Sequence, residues 1–79
     1  MIRFRLPELL ADKAFRERQR LDWKDVAVAT GIHRSTLSRM LNTPGYNATT
    51  DNLNLLCRYF NCQVGEIATY IPDEAGDAK

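Results

Sequence analysis

DWKDVAVATGIHRSTLSRMLN, residues 22–42, places two short amphipathic segments on either side of a single glycine. Asp22 is a good N-cap, because its carboxylate can take a backbone N–H of the first turn. Trp23, Val26, Ala29 and Thr30 then fall on one helical face. Gly31 stops the helix and can adopt the positive φ that a tight exit requires. Ile32 is expected to plug inward. A second helix follows from Arg34 to Leu41, with Leu37, Met40 and Leu41 directed at the core. Ala27 is small where the two helices must approach. Two short helices joined by a glycine-bearing turn make a helix-turn-helix, over 22–42.

The outer face of the helix at 34–41 carries the chemistry. At about 100° per residue, Ser35, Ser38, Arg39 and Asn42 lie opposite Leu37 and Leu41, with Arg34 and Thr36 at the flanks. That face has no acid and no aliphatic side chain. It offers two guanidiniums, three hydroxyls and an amide. Arginine can reach O6 and N7 of guanine together, and hydroxyls serve bases or phosphates. These residue types point to the major groove of double-stranded DNA.

Working outward, Met1 to Leu6 alternates, with Ile2, Phe4 and Leu6 on one side and Arg3 and Arg5 on the other, a strand pattern. Pro7 suits the first turn of a helix. Leu6, Leu9, Leu10 and Ala14 hold one stripe that predicts a first helix to about Arg20, with Phe15 off the stripe. Beyond the central unit, Pro44-Gly45 marks a turn. Thr49 or Thr50 caps a fourth helix with the stripe Leu53, Leu56, Cys57 and Phe60. After a break at 61–63, Val64, Ile67, Ala68 and Ile71 predict a short fifth helix. Pro72 ends regular structure, and DEAGDAK at 73–79 reads as a frayed acidic tail. The expectation is an all-α, five-helix bundle at 1–72, forming one domain, with short terminal β-strands at one or both ends. The extended ends Ile2-Phe4-Leu6 and Tyr70-Ile71 can pair within one chain or between two.

Composition limits the function classes. Seventy-nine residues, 27% of them charged, suffice for one domain. No apolar run approaches the ~18 residues of a membrane span, and the N-terminus lacks a signal-peptide core, so a cytoplasmic protein is expected. Cys57 and Cys62 are not in a CxxC arrangement and are expected as reduced thiols, Cys57 on the apolar stripe and Cys62 more exposed. No metal-ligand cluster, cofactor motif or small-molecule site is evident, and one histidine without a nucleophile–base pair argues against an enzyme. Residues 1–39 hold nine Lys/Arg against five Asp/Glu, a net +4, whereas 40–79 hold two against five, a net −3. One basic half fits one polyanion-facing surface.

The segment GIHRSTLSRMLN resembles the recognition helix of Cro/CI-type regulators, the XRE-like family. The resemblance extends to its small single-domain branch through Met1-Ile2-Arg3, Thr30-Gly31-Ile32, Thr36-Leu37-Ser38-Arg39, Asp51-Asn52-Leu53, Leu56-Cys57, Cys62 and Tyr70-Ile71-Pro72-Asp73-Glu74. It implies a five-helix, lambda-repressor-like fold, DNA binding through the third helix, and homodimers on near-palindromic operators. By that likeness Arg34, Ser35 and Thr36 read bases, Ser38 and Arg39 reach bases or phosphates, and Asn42, Tyr46 and Asn47 touch the backbone.

Two positions depart from the family pattern. Trp23 stands where many relatives place a phosphate-gripping Gln, and it reads either as a half-buried core residue or as a DNA contact. Lys24 beside it is placed to hold a phosphate. His33 stands where relatives carry a capping Ser, either as a weak cap or as a phosphate contact. Helix 1 also looks longer than in the shortest relatives, with Arg16, Arg18 and Arg20 at its negative end. The resulting expectation is a small transcriptional regulator, first of all a repressor. An antitoxin that binds its own operator and a protein partner, and a helix-turn-helix used for protein contact alone, remain alternatives.

Overall fold

The computed structural model describes residues 1–72, and the tail expected at 73–79 lies outside the described residues. The chain runs β1 (Ile2–Phe4), α1 (Leu6–Glu17), α2 (Trp23–Thr30), α3 (Arg34–Asn42), α4 (Thr50–Phe60), α5 (Val64–Ile67) and β2 (Ala68–Tyr70). The five helices and the short terminal strands match the expected architecture.

Every helix contributes to one core. Leu6 and Leu10 come from α1, Val26 from α2, Ile32 from the turn, Leu37 and Met40 from α3, Leu56 and Phe60 from α4, and Ile67 from α5. Trp23, Leu41, Tyr46, Cys57 and Cys62 are half-buried against it. Both thiols are free and half-buried, so Cys62 does not stand out as the more exposed of the two. Burial, chiefly, pushes the Cys62 thiol above its ordinary value, aided by the neighbouring Cys57. Lys13 ties α1 to α4: its Nζ meets Glu17 Oε2 at 2.7 Å and lies 4.8 Å from the centre of the Tyr59 ring.

The strands pair within the chain. β1 and β2 are antiparallel, with Ile2 opposite Tyr70, Arg3 opposite Thr69 and Phe4 opposite Ala68. Ile71 N donates to Met1 O at 2.8 Å, and Arg5 N donates to Ile67 O at 2.7 Å, so the pairing is closed at both ends.

Four expectations are corrected. α1 stops at Glu17, not Arg20, because Arg18 turns into the left-handed region at φ 53. Arg18 N returns to Phe15 O and Gln19 N to Ala14 O, which ends the helix without a glycine to announce it. Arg20 therefore lies beyond the helix. α5 ends at Ile67, and Ala68 to Tyr70 form a strand because β1 supplies hydrogen-bond partners that a further helical turn would forgo. Val64, expected in the core, is 51% exposed. Ala29 is likewise exposed, leaving Val26 and Thr30 as the buried residues of α2. Among the described residues no helix is long and apolar enough to cross a membrane.

Candidate nucleic-acid interface

The α2–turn–α3 unit is held at each joint by a specific hydrogen bond. Asp22 accepts from Asp25 N at 3.0 Å, and the Asp25 carboxylate accepts from Asp22 N at 2.9 Å, a reciprocal capping box. The bond from Asp25 N holds the Asp22 carboxyl below its ordinary range. At the other end Gly31 adopts φ 80, and its N–H returns to Ala27 O at 2.8 Å. Thr30 is buried, and its hydroxyl donates to Val26 O at 2.7 Å while accepting Ile32 N at 3.2 Å. This side chain fastens the end of α2 to the first residue past the glycine.

α3 then begins at Arg34 without a side-chain cap. His33 occupies the N-cap position with extended backbone, and its carbonyl accepts Thr36 N at 3.0 Å and Leu37 N at 3.1 Å. Its exposed imidazole makes no cap hydrogen bond. The first N–H groups of α3 have no intrahelical acceptor. Lys24, His33 and Arg34 line one shallow depression of about 380 Å³ beside this helix start. Three nitrogen-bearing side chains thus line a depression that includes the first residue of the helix, at its positive end.

Leu37 and Met40 are buried, while Arg34, Ser35, Ser38, Arg39 and Asn42 are exposed and Thr36 is half-buried. The expected outer face is therefore present, with Thr36 set back from it. Neither arginine of α3 has a carboxylate partner among the described residues. Asn42 Nδ2 donates to Ser38 O at 2.9 Å and to Ser38 Oγ at 3.2 Å. The Asn42 amide is thereby oriented by the helix itself.

Not every expected site residue joins this face. Trp23 is half-buried and packed against the core. Tyr46 is half-buried, and Tyr46 and Asn47 line a separate cleft of about 570 Å³ with Ile2, Phe4 and Leu53. A further cleft of about 500 Å³ is lined by Arg3 together with Asn42, Thr43 and Gly45. Three features escaped the sequence reading: the reciprocal Asp25, the Thr30 bridge and the position of Arg3. An acid three residues past the N-cap is a visible sign of the first. A threonine four residues after a carbonyl it can reach is a weak sign of the second. Nothing local signals the third, since it depends on pairing with residues 68–70.

Among the described residues no group of His, Cys, Asp and Glu could hold a metal ion. The family model of the Cro/C1-type HTH DNA-binding domain matches residues 5–73. No curated protein and no solved structure matches the chain.

Proposed function

Given that this chain belongs to the Cro/C1-type HTH DNA-binding domain family and is a DNA-binding regulator, we propose that it inserts α3 into the major groove of an operator and represses transcription by occupying it. The observation that carries this reading is the exposed, acid-free face of Arg34, Ser35, Ser38, Arg39 and Asn42, set opposite the buried Leu37 and Met40.

In this reading Arg34, Ser35 and Thr36 meet base edges from the N-terminal half of α3. Arg39 and Ser38 reach bases or phosphates further along. Lys24 and His33 hold a phosphate against the uncapped start of the helix, where backbone N–H groups and the helix dipole both favour an anion. The half-buried Trp23 serves the core and leaves the phosphate to Lys24. Tyr46 and Asn47 touch the backbone more weakly. Residues 1–72 act as one domain, and two copies bind a near-palindromic site. Phe15 at 85% and Tyr70 at 65% exposure supply apolar surface for pairing of copies.

Selection of bound duplexes from a random pool tests the reading. The expected result is a recovered sequence with two half-sites about 34–36 Å apart, bound with strong dependence on salt. No enrichment, together with salt-independent retention, would leave the helix-turn-helix as a surface for protein contact.

A further inference from the structure

β1 places Arg3 on a cleft that the C-terminal end of α3 also lines. The strand is fixed by its three pairs with β2 and by the hydrogen bonds of Met1 and Arg5 at its ends. Arg3 lines the cleft of about 500 Å³ together with Asn42, Thr43 and Gly45, the residues where α3 ends and the following turn begins. Arg5 does not line this cleft, and Arg16, Arg18 and Arg20 line a different depression with Phe15.

The Arg3 side chain is 62% exposed and meets Glu8 Oε2 at 3.4 Å, a long contact. The same Glu8 oxygen is shared with Arg5 Nε at 3.9 Å. Among the described residues one carboxylate therefore serves two guanidiniums, so these three side chains together carry a net positive charge. An exposed pair of this kind contributes little to stability, so exchanging it for a stronger anion costs little.

We propose that Arg3 is a DNA-backbone contact: on binding, its guanidinium leaves Glu8 and takes a phosphate flanking the groove that α3 occupies. The proposal rests on the groove reading given above. A guanidinium on an anchored strand suits this task, because its planar fork matches two phosphate oxygens. A phosphate contact fixes register and adds affinity without reading sequence. Glu8 holds the arginine in place in the free protein and competes with DNA for it.

The experiment is fluorescence anisotropy over a salt series, on the operator recovered by selection and on a random-sequence duplex of equal length. Arg3→Gln should weaken binding to both duplexes by a similar factor and flatten the salt slope by about one unit. Arg3→Lys should keep most of the slope, and Arg5→Gln should leave it near the parent value. Glu8→Gln should strengthen binding, and more so when Arg3 is present than in the Arg3→Gln background.

Arg39→Ala separates the two levels of inference. If it loses operator preference while Arg3→Gln keeps the parent slope, the Arg3 contact is overturned and the groove reading stands. If both variants bind as the parent does, the groove reading falls too. Weaker binding by Arg3→Gln with an unchanged slope, or a Glu8→Gln gain that is independent of Arg3, would mark the residue as structural and overturn the contact.

Discussion

The Thr30 hydroxyl accepts the backbone N–H of Ile32 at 3.2 Å across the turn between α2 and α3. Its own proton goes to Val26 O at 2.7 Å. Ile32 is 4% exposed, so its N–H has little recourse to water. Thr30→Val keeps the volume and removes the acceptor. The expected loss is about 1–3 kcal/mol, the usual cost of stranding a buried donor. Urea denaturation measures it, and Thr30→Ser should recover most of the loss. A Val variant as stable as the parent would mean that the turn is held by packing alone.

Gly31 sits at φ 80, yet a Cβ there would meet nothing within 4 Å. The cost of Gly31→Ala is therefore purely conformational, about 1–2 kcal/mol. Asn tolerates this region better than Ala, so Gly31→Asn should melt between the two. If Gly31→Asn melts below Gly31→Ala, steric fit rather than backbone conformation governs the site.

Asp22 gives the domain an acid-sensitive joint. The Asp25 N–H bond favours its carboxylate in the fold and lowers its pKa. Its contribution is thus complete above the pKa it has when unfolded, and is lost as pH falls through the depressed folded value. Asn also caps helices but does not titrate there. Asp22→Asn should therefore show a shallower loss of stability on acidification, followed by circular dichroism from neutral to acidic pH. Parallel acid profiles for the two proteins would remove Asp22 from the account.

The residues proposed to face DNA should divide by effect. Arg34→Ala and Arg39→Ala are each expected to cost about 1–3 kcal/mol on the selected operator if they pair with bases. Lys24→Ala should weaken all sequences alike and flatten the salt slope by about one unit. A Lys24 variant altered in sequence preference alone would transfer that residue from phosphate to base.

Much of this unit was legible because its determinants are local. Asp22, Gly31, Ile32 and Leu37 act within a few residues of themselves, so spacing alone places α2, the turn and α3. The end of α1 was not legible, because Arg18 takes a left-handed conformation that a glycine would have advertised. The end of α5 was not legible for a different reason. Val64, Ile67, Ala68 and Ile71 keep helical spacing, but partners 64 to 68 residues away draw Ala68 to Tyr70 into a strand. The candidate site follows the same rule: the α3 face is readable from periodicity, and the place of the proposed contact Arg3 is not. Thr36, placed at a flank of that face, is half-buried there.

The β1–β2 pairing also sets an order of events. Three residue pairs close a loop that spans almost the entire described chain. Contacts so far apart in sequence are rewarded only after the intervening chain is ordered. The helices should accordingly assemble first and the two-stranded ribbon last. Opening runs in reverse, and a short terminal ribbon is the kind of element that detaches well below the global unfolding free energy. The first segment to come away is then the one that bears Arg3, with α3 still seated on its core.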